Sequence, residues 1–232
     1  EDWNPETDPA IAANYSAQDL TGKATSKDGL LRELGMEAIE GAPLMGVVSR
    51  LSSQKGMDLM LAVADRLFEA NVQMIVQGLG DHWLADQFKN LQHKYPKNFR
   101  FVERFDAELA QRVYAGSDMF LMPSAFEPCG LGQLIAMRYG TVPVVRRTGG
   151  LADTVFDHKN GFVFVHKDAA EFLAACLDSV EAYRSDSWNT LVQNAMAFNS
   201  RWEQSAKDYE RLYLAACDRR RAEAIPRQRL HD

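Results

Sequence analysis

Apolar residues in this chain gather in short runs, divided by longer stretches where they return every third or fourth position. The runs at 43–48, 72–76, 99–102, 118–122, 141–145 and 161–165 predict strands. Helices are expected between them at 57–69, 83–93, 106–115 and 131–139. In 57–69 the residues Leu59, Ala62, Val63 and Leu67 form one apolar side, and Asp106 is placed to cap the helix that follows it. Residues 1–40 are polar, with a helix expected over 26–34. From Asp168 onward the pattern is helical, in segments near 168–182, 187–197 and 203–218. The charged stretch 219–232 is expected to fray or to be disordered.

Strands that alternate with helices predict an α/β protein with a parallel sheet and helices on both faces. The division this suggests is a polar lead-in at 1–40, a nucleotide-binding domain with C-terminal helices at 41–218, and a tail at 219–232. In such a sheet, ligands bind in loops beyond the carboxyl ends of the strands. Attention therefore goes to the loops that follow 43–48, 72–76, 118–122 and 141–145.

The loop after 118–122 reads Pro123-Ser-Ala-Phe-Glu-Pro-Cys-Gly-Leu-Gly-Gln-Leu134. It sets one carboxylate, Glu127, on a turn stiffened by Pro128, and a Gly-Leu-Gly step opens the next helix. Free N–H groups at a helix start favour an anion such as phosphate. A carboxylate beside a phosphate cradle suits a ligand that is both nucleotide and polyol, a sugar nucleotide. The loop after 43–48 carries Arg50 and Lys55, which can meet a diphosphate as a planar fork and a point charge. The plain alternative is a solvated loop with two surface cations. Gly78-Leu-Gly80 lacks the third glycine of a dinucleotide fingerprint and is better explained as a turn that brings backbone close to a ligand or to a neighbouring loop. Thr148-Gly149-Gly150 reads as a flexible loop that either approaches a sugar or simply turns.

Composition narrows the classes. Of 232 residues, 46% are hydrophobic and 25% charged, ordinary for a globular protein. A net charge of −6 argues against a general nucleic-acid surface, so an anionic ligand needs a local basic cluster. Two are present, Arg50 with Lys55 and Arg146 with Arg147. Cys129, Cys176 and Cys217 show neither a disulfide framework nor metal-ligand spacing and suit a reducing compartment. Cys129 has no histidine near it in sequence that would make it a nucleophile. No metal site, membrane span or signal peptide is expected, which points to the cytoplasm, or to a plastid stroma in a photosynthetic source.

Taken in order, several segments resemble the bacterial glycogen synthases and plant starch synthases. They are Val48-Ser-Arg50-Leu51, Gln54-Lys-Gly56, Gly116-Ser-Asp118, Phe126-Glu-Pro-Cys-Gly-Leu131, Met137-Arg-Tyr-Gly140 and Arg147-Thr-Gly-Gly-Leu151-Ala-Asp-Thr154. The resemblance implies a retaining glycosyltransferase with the two-domain GT-B fold, of which this chain is the Rossmann-like, donor-binding half. It implies ADP-glucose as donor, no metal or other cofactor, and an α-1,4-glucan acceptor held through an N-terminal domain. Without that domain the fragment is expected to be inactive. The rivals are another retaining nucleotide-sugar transferase, or a non-catalytic nucleotide- or glucan-binding module.

Carried over by position, Arg50 and Lys55 hold the donor diphosphate, and Glu127 meets the transferred glucose. The loop residues Cys129, Gly130 and Leu131 lie against phosphate, with Gly130 and Leu131 offering N–H groups. Phe105 falls where relatives often have a tyrosine near the adenine, and Thr148 and Gly149, from the loop reading above, are kept as candidates for the sugar. Two departures stand out. Gly132 replaces a threonine common in the family, and residues 133–136 (Gln-Leu-Ile-Ala) lack the second carboxylate of broader relatives, a place that Gln133 fills.

Overall fold

The computed structural model describes residues 3–224, and part of the 219–232 stretch falls outside that range. The chain divides into two units, Glu1–Phe198 and Asn199–Asp232. The first holds six strands: β1 (Leu44–Val48), β2 (Gln73–Gln77), β3 (Phe99–Val102), β4 (Met119–Met122), β5 (Val142–Arg146) and β6 (Phe162–Phe164). Its helices are α1 (Thr21–Glu33), α2 (Met57–Glu69), α3 (His82–Lys94), α4 (Ala107–Gly116), α5 (Gly132–Arg138), α6 (Gly149–Thr154), α7 (Ala169–Tyr183) and α8 (Trp188–Met196). Among its described residues the second unit has one helix, α9 (Trp202–Ala224), in which Tyr209 stacks on Tyr213. Helix therefore continues through Arg219–Ala224, where fraying was expected; residues 225–232 lie outside the described range.

All pairings in the sheet are parallel, in the order β3-β2-β1-β4-β5-β6. Strand order reverses between β1 and β4, which opens the crevice where doubly wound sheets take ligands. Alternation along the strands sends side chains to two cores. Met45 and Val47 of β1 and Met74 and Val76 of β2 join α2 and α7 residues such as Met60, Leu67 and Phe172 on one face. Leu44 and Ile75 face the other way, onto Leu30 and Leu31 of α1 and Leu109 and Val113 of α4. Asp106 caps α4 as expected, its carboxylate accepting from Leu109 N–H at 2.9 Å.

The polar lead-in is part of this unit. The Tyr139 hydroxyl, at the end of α5, donates to Asp8 at 2.5 Å, and the Tyr15 hydroxyl donates to the Tyr139 carbonyl at 2.9 Å. Arg138 donates to Asn4 at 2.5 Å, and Trp3 meets Tyr114 edge to face. Residues 3–20 thus form a strap across the ends of α4 and α5. Helix α1 begins at Thr21, five residues before the predicted Ser26. It carries two lysines to the amino edge of the sheet. Lys27 pairs with Asp118 at 2.7 Å. Lys23 donates to the carbonyls of Ala115 and Tyr139 and to Thr141 Oγ1, at 3.1, 3.0 and 2.8 Å. Cations are favoured at helix C-termini, which is where both carbonyls lie.

Burial, opposed by the Asp118 carboxylate and reinforced by the Lys27 charge, lowers Lys23 from 10.5 to about 7. Between those values the unfolded chain holds a proton that the folded chain has given up, so stability rises with pH there and is flat below. Urea unfolding should show stability climbing by about 2 kcal/mol from pH 7 to pH 9. Lys23→Met should flatten that slope; an unchanged slope in the variant would refute the assignment.

Candidate active site

The β1–α2 loop and the β4–α5 loop meet at the point where strand order reverses. A short 3-10 turn, Ser53–Lys55, ends the first of them. Gly56 follows at φ +74°, and a Cβ there would lie 2.2 Å from the Pro123 carbonyl, so only glycine lets the two loops close on each other. Ala125 N–H donates to the Gln54 carbonyl at 2.8 Å across this seam.

Lys55 and Glu127 come together here, Nζ to Oε2 at 2.5 Å. Their side chains keep 20% and 10% of their exposure, and the Ser124 hydroxyl donates to the same Glu127 oxygen at 3.2 Å. Behind the pair lies a cavity of about 120 Å³, whose lining includes Ser49, Tyr114, Phe120 and Gly132. Burial raises the Tyr114 phenol well above its usual range, so it stays protonated in that cavity.

A third loop braces this seam. Thr148-Gly149-Gly150 is not the open loop expected from sequence; it forms the start of α6, with Thr148 at its N-cap. Gly150 N–H donates to the Glu127 and Pro128 carbonyls at 3.1 and 3.3 Å. Gly149 has φ +45°, and a Cβ there would stand 2.0 Å from the Glu127 carbonyl. The pair of glycines is thus explained by backbone lying on backbone.

The remaining candidates are placed as follows. Gly130 is buried, while Leu131 and Cys129 are exposed beside it at the start of α5. Gln133 is fully buried; its amide donates to the Gly130 carbonyl at 2.8 Å, the Cys129 carbonyl at 3.3 Å and Thr154 at 3.2 Å. It holds the loop from within. Arg50 is exposed just past β1 and makes no hydrogen bond or ion pair among the described residues. Phe105, on the β3–α4 loop at the same sheet edge, is 87% exposed.

One expectation is corrected. Arg146 does not form a free basic cluster with Arg147, because its guanidinium is spent on carbonyls: Ser124 at 2.8 Å, Val165 at 3.2 Å, and Ala125. It buttresses the β4–α5 loop. Ser124, Tyr114 and Thr154 were not foreseen as site residues; only Ser124, three residues before Glu127, had a local signal in the sequence. The turn at Gly78–Gly80 packs on the β1 loop, with Leu51 N–H donating to the Leu79 carbonyl at 2.8 Å, the second of the two roles open to it. Among the described residues, no group of His, Cys, Asp or Glu is placed to hold a metal ion, and no helix is long and apolar enough to cross a membrane.

Residues 36–197, which contain the sheet and every loop just described, match the model of the family described as glycosyl transferases group 1. The chain belongs to the group 1 glycosyl transferases. Among curated relatives, the glycogen synthase of Syntrophotalea carbinolica is 46% identical over 223 residues, 93% of this chain and 46% of the relative. That of Thermosipho melanesiensis is 42% identical over 228 residues, 95% of this chain and 47% of the relative. The chain spans about half the length of the curated relatives it matches. Among solved structures, the catalytic domain of starch synthase IV from Arabidopsis thaliana, bound to ADP and acarbose, superposes with a TM-score of 0.85. It is 37% identical over 92% of this chain and 46% of that one. The Rossmann-like α/β fold with a parallel sheet expected from the sequence is thus the fold found.

Proposed function

We propose that this chain is the donor-binding half of a glycogen or starch synthase, moving glucose from ADP-glucose to the non-reducing end of an α-1,4-glucan with retention. The observation that carries this reading is the meeting of Lys55 and Glu127 at the strand-order reversal. A cation and a carboxylate side by side match a ligand that has a diphosphate next to a polyol. The likeness to an ADP-bound starch synthase supports the same ligand.

Each residue then has a role. As the bond between glucose and phosphate breaks, negative charge grows on the departing ADP. Lys55 and Arg50 stabilise that charge, and preorganised cations act more strongly on the transition state than on the bound donor. Glu127 accepts hydrogen bonds from the transferred glucose. Gly130 and Leu131 present N–H groups to the phosphates, Gln133 and Gly149 keep that loop and the Glu127 turn in place, and Thr148 lies near the sugar. Phe105 lies beside the adenine. The acceptor glucan is held through the half of the enzyme that this chain does not span.

Titration calorimetry with ADP tests this reading. The chain should bind ADP, and a chelator should leave the affinity unchanged, because side-chain cations and helix N–H groups supply the charge balance. Loss of binding with chelator would show that a metal carries the phosphate; no binding of ADP at millimolar concentration would sink the donor assignment.

A further inference from the structure

Lys55 has one ammonium, and Glu127 already holds it at 2.5 Å. The partners differ in freedom. Glu127 sits on a turn fixed from three directions: by Gly150 N–H on its own carbonyl, by Arg146 on the Ser124 carbonyl, and by Ala125 N–H on Gln54. Its acceptor oxygen is also held by Ser124. Lys55 reaches it on a flexible four-carbon stem. A diphosphate arriving at Lys55 must draw the ammonium away from a carboxylate that cannot follow. The two anions are then close together in a half-buried site, where like charges are screened poorly.

We infer that Glu127 is an intramolecular competitor of the diphosphate for Lys55, and that this competition makes the site prefer a nucleotide that still carries its sugar to the bare nucleoside diphosphate. The inference rests on the donor reading above. A sugar-linked diphosphate offers hydroxyl donors that replace the ammonium Glu127 gives up. It also lacks the second ionisation of a free terminal phosphate, so it brings less negative charge toward the carboxylate. After transfer the sugar is gone, Glu127 loses its hydroxyl partners and recaptures Lys55, and ADP leaves. Glu127 thereby acts on product release as well as on the sugar.

The test is calorimetry with ADP and with ADP-glucose on the unmodified chain, on Glu127→Gln and Glu127→Ala, and on each of these combined with Lys55→Met. The unmodified chain should bind ADP-glucose more tightly than ADP. Both Glu127 variants should bind ADP more tightly, roughly tenfold for the isosteric Gln, while ADP-glucose gains nothing. Lys55→Met should cost more ADP affinity in the Glu127→Gln background than alone, since Lys55 is then free for phosphate. Unchanged or weaker ADP binding in folded Glu127 variants, with ADP still bound by the unmodified chain, overturns the competition and leaves the donor reading intact. If the unmodified chain binds neither nucleotide, the donor reading falls and takes this inference with it. Melting temperatures of each variant separate a loss of folding from a loss of competition.

Discussion

Lys55→Ala, introduced into a glucan-elongating protein that contains this chain, should lower turnover by about 10²–10³-fold, or roughly 3–4 kcal/mol of transition-state stabilisation. Affinity for ADP-glucose should fall by less. The asymmetry follows from where charge develops: the bound donor has its diphosphate charge partly spread into the glucosyl bond, and the departing ADP does not. Steady-state kinetics beside calorimetry decide the matter. Equal losses in turnover and in ADP-glucose affinity would mean that Lys55 binds the donor uniformly and does not act on the leaving group.

Gly149→Ala should be among the most damaging single methyls in the described site. Its Cβ would stand 2.0 Å from the Glu127 carbonyl at a φ of +45°, so either α6 or the Glu127 turn must move. A loss of about 2–4 kcal/mol in stability is expected, with a drop of several degrees in Tm for a domain of this size. Turnover should fall with it, because the displaced turn is the one that fixes the carboxylate. Urea unfolding and activity measured on the same preparation check both halves. An unchanged midpoint would show that the contact relaxes without strain.

The strands and most helices were legible because their apolar residues repeat at strand or helix spacing, and in β1 and β2 the alternation even separates the two cores. Helix α1 was half seen. Its buried positions include Gly22 and Ser26, small residues that pack closely without adding to an apolar pattern, so the segment before Ser26 looked like lead-in. Helix α6 was missed for a related reason. Two glycines at its start read as a flexible loop, while their actual task is to bring backbone N–H groups onto the Glu127 turn. Glu127 and Lys55 were each singled out from local chemistry, yet their pairing spans 72 residues and depends on which strands are neighbours. The same holds for Arg146, whose charge suggested an anion and whose neighbours are carbonyls. Composition reveals a guanidinium; only the fold shows whether its donors are already taken.

The strap carries a consequence for the order in which the molecule can assemble. Its bonds join residues far apart in the chain: Asp8 to Tyr139 across 131 positions, Tyr15 to Tyr139 across 124, Asn4 to Arg138 across 134. Closing such long loops is entropically unfavourable until the partner is fixed, and the partner here is the end of α5, itself packed between β4 and β5. The strap, though it precedes the sheet in sequence, is therefore among the last parts of this unit to find its place. It waits for a docking surface that the middle of the chain must first build.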